Sequence, residues 1–491
     1  MRLSRQPHWW CLGLLLPAVL AACTTVGPDY ALPPDSAFAQ AARHPPALDA
    51  HGSAAVDPAQ AADEGRWWRL YDDPVLDALI EQALQANAEL KVAAARLDQA
   101  LARYAQARAA GEPSGNVNAA VERSRISAES LLQSEPLPVF NLAAGGISVS
   151  YQLDLFGKLR RVSEAAHVSA EAAQAAGDLA RISVAAQVAG AYLEICHANH
   201  ELAVARHTLQ LQQRSRDIAE QMRAAGRGTP VDVARADAQV AALRAALPPL
   251  QARKQAAGYE LAALLGGAPG QIPDGVMQCE EAPALKHPIP VGDGAALLRR
   301  RPDVRRAERE LAAATAEIGV ATAMLYPDIT LGASVGASGL LDDFGKLVTQ
   351  QWSIGPLISW SIPGSGARAR VDQAQAGAKA ALAEFDHVVL EALRETQTIL
   401  ARYAEDLRRA AALRDARDRA SAAATDVRRM YEAGRMPYLS SLDAQRTLAA
   451  AETGLANAEA QVSQDQIRLF LALGGGWRSG EPPAPTATAQ P

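Results

Sequence analysis

KLRRVSEAAHVSAEAAQAAGDLARISVAAQVAGAYLEICHANHELAVARHTLQLQQRSRDIAEQMRAA, residues 158–225, contains no proline, and its two glycines, Gly177 and Gly190, stand alone. Alanine, leucine, glutamate, arginine and glutamine dominate it, the residues with the strongest helix propensity. At ~1.5 Å rise per residue a single helix over this stretch would be roughly 100 Å long, longer than an ordinary domain is wide. Asp154-Leu155-Phe156-Gly157 leads into it, and it ends at Ala225-Gly226, ahead of Pro230. A second run of the same character follows Pro363-Gly364-Ser365-Gly366 and ends at Ala433-Gly434, ahead of Pro437. Two such helices exclude a compact globule.

Outward from the first run, Leu76, Leu79, Ile80, Leu84, Leu90 and Leu97 recur at helical spacing and predict a helix over Val75 to Ala110. Two stretches then alternate, about 114–123 and 146–155, as in Asn116-Val117-Asn118 and Ile147-Ser148-Val149-Ser150-Tyr151. They predict strands with one polar and one apolar face, joined by a proline-bearing loop from Arg123 to Asn141. After the long run a further helix is expected from Val231 to Leu265, stopped by Gly266-Gly267. Residues 268–300 read as a connecting segment, loop-like to 293. The pattern restarts at Arg301-Pro302, with a helix to Tyr326, strands about 328–337 and 352–362, the second long helix over 366–433, and a helix from Tyr438 to Leu473. Residues 23–74 read as an extended lead-in with an aromatic patch at Trp67-Trp68, and 477–491 as a disordered tail.

The restart is a duplication. Pro327 corresponds to Pro113, and at the same offset Leu311 matches Leu97 and Ala321 matches Ala107. Gly366 matches Gly157, Gly434 matches Gly226, and Asp443-Ala444-Gln445 matches Asp237-Ala238-Gln239. Two structural repeats, 75–267 and 301–476, therefore each read helix, strand, strand, long helix, helix. The shorter helices of a repeat, end to end, equal its long one, so that apolar stripes can bury against each other as coiled coils.

Composition narrows the function. The 48 basic and 54 acidic residues give a net charge of −6, with arginines interleaved among carboxylates, which argues against nucleic acid. Aromatic residues are only 5%, which suits slender helices rather than a bulky core. Mean hydropathy is −0.07, and past the N-terminus no stretch offers the ~20 apolar residues of a membrane helix. At the N-terminus, Arg2 and Arg5 precede an apolar run from Trp9 to Leu20, then Leu20-Ala21-Ala22-Cys23. This reads as a signal peptide over 1–22 ending in a lipobox, with Cys23 the acylated first residue of the mature chain; the plain alternative is an ordinary signal with a chance cysteine. Acylation would anchor the chain in membrane lipid at ~0.8 kcal/mol per buried methylene. Of the remaining cysteines, Cys196 falls mid-helix and Cys279 in a loop-rich segment. An oxidising compartment permits a disulfide, but the reading favoured is two separate thiols.

The strands decide between envelope architectures. Each has the roughly ten residues a tilted strand needs to cross a bilayer. Four cannot close a barrel, and open edges are excluded from lipid, so membrane strands would have to be pooled from several chains. The plain alternative is a soluble four-stranded sheet.

The chain resembles the TolC-type outer-membrane efflux proteins, in the OprM-like lipoprotein branch. The residues that carry the resemblance are Cys23-Thr24-Thr25-Val26-Gly27-Pro28-Asp29-Tyr30, Trp67-Trp68 with Asp73-Pro74, Tyr151-Gln152-Leu153-Asp154-Leu155-Phe156-Gly157, Arg300-Arg301-Pro302-Asp303-Val304 with Ala307-Glu308, and Leu442-Asp443-Ala444-Gln445. The resemblance runs from Cys23 to about Gly476 and implies a mainly α fold with transmembrane β. A homotrimer would form a 12-stranded β-barrel continued by an α-helical barrel tunnel into the periplasm, opened at its inner end by a periplasmic adaptor and an inner-membrane RND-type pump. By the same resemblance, the turns at Gly226, Arg227 and Gly228 and at Gly434, Arg435 and Met436 are adaptor-docking tips. Asp232, Tyr431 and Asp443, with Arg435, hold the gate, and three copies of an axial carboxylate would favour cations. Ser440 and Met436 stand where the family pattern has an aspartate and an arginine, which argues against an arginine–aspartate lock. A capping role is the plain alternative for Asp232.

Glu194-x-x-His197 and Glu384-x-x-His387 have the spacing of di-iron helices. In repeat register they fall about 28 Å apart along a helix, too far to share metal, and His200, near His197, reads as a surface histidine rather than a stray metal ligand. No metal, cofactor, nucleotide or catalytic motif is found, so a duct would be passive and not an enzyme. The expectation is an efflux exit duct for drugs and other small toxic compounds. The alternatives are a type I protein-secretion channel of the same fold and a non-channel coiled-coil lipoprotein.

Overall fold

The computed structural model describes residues 25–49, 51–57, 66–362 and 364–475. The signal peptide, Cys23 and the tail over 477–491 lie outside the described residues. The elements in chain order are α1 (Ala37–Arg43), β1 (Val56–Asp57), α2 (Pro74–Ala86), α3 (Ala88–Ala109), β2 (Ser114–Ser124), β3 (Phe140–Leu153), α4 (Lys158–Ala224), α5 (Pro230–Ala245), α6 (Leu247–Leu264), β4 (Ile289–Pro290), α7 (Gly294–Arg300), α8 (Pro302–Ala323), β5 (Asp328–Leu340), β6 (Gln350–Ser359), α9 (Ser365–Glu432) and α10 (Tyr438–Ala472). The two long helices are single elements of 67 and 68 residues, and helix–strand–strand–long helix recurs in both halves.

The shorter helices differ from the expectation. Val75–Ala110 is two helices, because Asn87 takes an extended conformation between them. Its side-chain oxygen accepts the Glu89 and Leu90 amides (2.8 and 3.3 Å), and its Nδ2 donates to the Leu264 carbonyl at 3.0 Å. Val231–Leu265 is likewise interrupted at Ala246, ahead of Pro248 and Pro249, which lack the amide hydrogens a continuous helix requires. The lead-in is not featureless either. Ser36 caps α1, and Val56 pairs in parallel with Ile289 of the connecting segment.

The chain divides into two units. One is assembled from residues up to Pro33, Arg96–Ala173 and Arg306–Phe385; the other comprises Pro34–Ala95, Gln174–Arg305 and the chain from Asp386 onward. The first holds the four-stranded antiparallel sheet in the order β2-β3-β5-β6. Its central pair, β3 with β5, joins the two repeats over Leu142↔Leu340 to Leu153↔Ile329. This pairing also corrects the expected 123–141 loop and strand start near 146. β3 begins at Phe140, because Phe140–Gly145 pair with Ser124–Ala119 despite their alanines and glycines.

In the second unit the core is aromatic at one point and aliphatic elsewhere. Trp67 stacks on Phe470 at 4.5 Å, and the Tyr71 hydroxyl donates to Gln466 Oε1 at 3.0 Å. Asp73 caps α2 and accepts the Tyr192 hydroxyl at 3.1 Å. Arg301, nearly buried, donates to the Ala472 carbonyl at 2.7 Å and to Asp303 and Glu395. The Arg301-Pro302-Asp303 motif is thus a clasp on the end of α10, where helix carbonyls lack intrahelical partners.

The two-thiol reading is wrong. Cys196, fully buried on α4, is disulfide-bonded to Cys279 with their Cα atoms 4.8 Å apart. Asn199, one turn on, donates to the carbonyls of Met277 and Cys279 at 3.0 and 2.6 Å and folds the loop back against the helix. His200 is exposed, as expected, whereas His197, one turn before it, is buried and bonded to Ser463 Oγ at 2.9 Å. Burial pushes the His197 pKa down to about 4, so it is neutral at physiological pH.

One buried acid in this unit sets a pH dependence. Asp465 is 0% exposed; it accepts from Gln461 at 3.0 Å and has Arg468 at 3.5 Å. Burial first, then the neighbouring Asp406 carboxylate, pushes it up to about 6. A carboxyl whose folded pKa lies above its unfolded value gives stability that is full below the unfolded value and lost as pH rises through the folded one. The unfolding midpoint in urea should therefore fall between about pH 4 and 6.5, and Asp465→Asn should flatten that slope; an unaltered slope removes Asp465 as its source.

Candidate functional site

The sheet registers its residues by chemistry. Val117, Ile147, Val335 and Trp352 are paired neighbours across all four strands. The next row on the same face is Gly115, Val149, Ala333 and Ile354. These large apolar side chains are open, from 47% for Val149 to 77% for Trp352. The opposite face carries Asn116, Ser148, Ser334 and Ser353 in one row, with Ser334 and Ser353 hydroxyls bonded at 2.8 Å and Ser114 and Ser150 likewise. Strand alternation turns one sequence into two surfaces, one with the chemistry of lipid tails and one with that of water. At the helix end of the sheet, Phe156 stacks on Tyr326 at 4.5 Å, and the Trp360 indole donates to the Leu325 carbonyl at 3.1 Å. Aromatic rings at this level, those of Tyr326 and Trp360 with polar tips, match the aromatic girdle of membrane barrels.

In the second unit both long helices end in the same turn. Gly226 and Gly434 have φ of +69° and +70°. Their amides donate to the carbonyls of Arg223 and Tyr431, and the amides of Arg227 and Arg435 reach back to Met222 and Met430 at 2.8 Å. This left-handed cap favours glycine and satisfies the last helix carbonyls. Past the first turn, Thr229 and Asp232 form a reciprocal capping box: the Thr229 amide and hydroxyl donate to Asp232 Oδ2 at 3.1 and 2.7 Å, and the Asp232 amide donates to Thr229 Oγ1 at 3.3 Å. Asp232 therefore does serve its own turn, and the Thr-x-x-Asp spacing was the signal for it.

The tip is closed by a small apolar cluster. Tyr431, Tyr438, Leu442, Ala219 and Ala236 are buried together, with Ile218, Met222 and Val233 around them. Four helices, α4, α5, α9 and α10, contribute. The Tyr431 and Tyr438 rings lie 5.5 Å apart, and Gln212 donates to the Tyr438 hydroxyl at 3.3 Å. Burial, then Tyr438 and the charge of Asp232, holds the Tyr431 phenol above its usual pKa. Of the four expected gate residues, Tyr431 and Asp232 are thus brought together. Asp443 and Arg435 stand exposed, with no hydrogen bond or ion pair to their side chains among the described residues. Tyr438 and Gln212 were not anticipated; Gln212 sits in an ordinary helical pattern that carries no local signal of a contact far away in sequence.

Comparison with known proteins agrees with the duplication. The profile of the family described as "Outer membrane efflux protein" matches residues 79–267 and again 295–475. The chain is 32% identical to Outer membrane protein OprJ of Pseudomonas aeruginosa over 484 residues, 97% of this chain and 98% of that protein. It is 32% identical to Toluene efflux pump outer membrane protein TtgF of Pseudomonas putida over 474 residues, 95% of this chain and 96% of that one. The solved structure of the outer-membrane channel OprN superposes with a TM-score of 0.85 at 34% identity, covering 92% of this chain and all of that one.

Proposed function

Because the chain belongs to the outer membrane efflux protein family, we propose that it is the passive, trimeric exit duct of a tripartite system that expels drugs and other small toxic compounds. That it is an outer-membrane efflux channel follows from the family; the assembly, cargo and gate are the proposal. The observation that carries it is the sheet, which shows an apolar face in one chain while both outer strands, β2 and β6, keep an edge unpaired among the described residues. Unpaired edges are not tolerated in lipid. Three copies, each pairing β6 with the next copy's β2, would close about twelve strands with no edge. Helix α3 supports the same assembly: none of its 22 residues is buried within one chain, so its stability requires a neighbour. In this reading Cys23 carries the lipid anchor, and the turns at Gly226–Gly228 and Gly434–Met436 face the adaptor that couples the duct to an inner-membrane RND-type pump. The toluene efflux named for TtgF supports a small-molecule cargo.

The gate reading places Tyr431 and Asp232 in the rivet that holds each tip together, and Asp443, with Arg435, on the surface that copies present to the axis. Conductance in planar bilayers tests both duct and gate. The purified protein should open cation-selective channels, and Asp443→Ala should lower cation preference while conductance persists. Unchanged selectivity removes Asp443 from the pathway, and a silent trimer favours a coiled-coil tether over a duct.

A further inference from the structure

The first described residues are docked. Within the sheet-bearing unit the Val26 amide donates to the Phe156 carbonyl at 3.1 Å. Arg161, only 3% exposed, donates from Nε to the Val26 carbonyl and from Nη2 to the Gly27 carbonyl, both at 3.3 Å. The same Nη2 reaches Asp29 Oδ1 at 2.7 Å, and Nη1 reaches Glu164 at 2.8 Å. A guanidinium this buried requires its donors to be met, and three of its four acceptors come from residues 26–29. Shape matches charge. Gly27, at φ +88°, lies so close to α8 that a Cβ there would stand 2.5 Å from Gly319 Cα, and a Cβ on Gly319 would stand 2.8 Å from the Arg161 side chain. A Cβ on Gly157 would meet Thr25 at 2.5 Å. Beyond the glycine, the Tyr30 hydroxyl donates to Glu308 at 3.2 Å, with the Arg309 guanidinium 6.0 Å from its ring centroid.

From this we infer that Val26–Tyr30 is a strap, received by Arg161 of α4 and Gly319 of α8, which holds the start of the mature chain at the foot of the sheet and ties the first repeat to the second. The inference rests on the reading that Cys23 is acylated only for its consequence: the anchor, two residues before Thr25, would be held at one height beside the strand–helix junction rather than trailing on a free tether. Asp29, with its side chain 92% exposed, adds to the fork without depending on burial. Arg161 is accordingly a positioning residue, and the Val-Gly-Pro-Asp-Tyr motif is its ligand.

Hydrogen exchange on the full-length protein tests the strap, with palmitate labelling as a separate arm. Arg161→Ala should speed exchange in the 25–32 segment by roughly ten- to a hundred-fold, the factor expected for losing charge-assisted hydrogen bonds, with the sheet and the second unit unaltered. Asp29→Ala, which removes only an exposed side chain, should give a smaller acceleration of the same segment. Arg161→Lys, which keeps the charge but not the fork, should fall between wild type and Arg161→Ala. Wild-type exchange rates in both Arg161→Ala and Asp29→Ala overturn the strap, as does exchange already unprotected in the wild type. Labelling that is lost in Cys23→Ala confirms the anchor independently. No label with the exchange pattern intact removes the acylation reading and leaves the strap, whereas label with exchange unmoved does the reverse.

Discussion

Reducing the Cys196–Cys279 bond, or replacing both cysteines by alanine, is expected to lower the stability of the channel by about 2–4 kcal/mol without altering its conductance. The bridge closes a loop of 83 residues, and the chain-entropy relation gives an upper figure of about 4.5 kcal/mol for a loop of that length. The effect should fall on the unfolded chain. In the native state Asn199 already holds the Met277 and Cys279 carbonyls, and Cys196 is fully buried beside Ile195 and Tyr192. The folded loop therefore keeps its place when the bond is cut. Thermal denaturation in detergent, with and without reductant, checks this. Wild type should lose stability on reduction, and the Cys196→Ala/Cys279→Ala protein should start lower and not respond. If reductant leaves the wild type unmoved, the bond carries no stability; if conductance falls with it, the loop positions the pore-forming helices and the entropy account fails.

The same bond marks where sequence stops informing. The long helices, the two-faced strands and the duplication are all local or repetitive signals, and each reappears as an element: 67 residues without proline for α4, alternation from Ile147 to Tyr151 for β3, Gly226 and Gly434 for the two caps. Asn87, Ala246 and the disulfide are different, because each is decided by what arrives from elsewhere. Asn87 breaks a helix that its neighbours favour because its amide has the Leu264 carbonyl to bond. Cys279 meets Cys196 because the loop after α6 folds back, a fact with no sequence period. Part of the site divides the same way. Asp232 could be read as a cap from Thr-x-x-Asp spacing, whereas the burial of Tyr431 against Tyr438 needed four helices to be in place. Arg161 shows the limit most clearly. In a helix rich in arginine its side chain has no distinguishing neighbour in sequence, yet it is almost fully buried because residues 26–29 cover it.

A charge on one face of the sheet should be far more damaging than the same charge one residue away. Val335 lies near the middle of β5, between Ile147 and Trp352 in the apolar row, and is 62% exposed in the single chain. Ser334, its neighbour, points to the opposite face and bonds Ser353. If the apolar face meets lipid, Val335→Arg costs about 2–4 kcal/mol at the bilayer midplane, and a trimer suffers it three times. Ser334→Arg places the same guanidinium on the polar side, where water solvates it, and loses one exposed hydroxyl pair worth about 1 kcal/mol. If the chains assemble as proposed, oligomer recovered from outer-membrane fractions should therefore disappear in Val335→Arg and persist in Ser334→Arg, with Ile147→Arg repeating the first result on β3. A soluble sheet predicts something else. An exposed valine in water accepts arginine within about 0.5 kcal/mol, so both variants would survive alike. The two surfaces differ by a single step along the strand, and that step separates a membrane wall from a surface sheet.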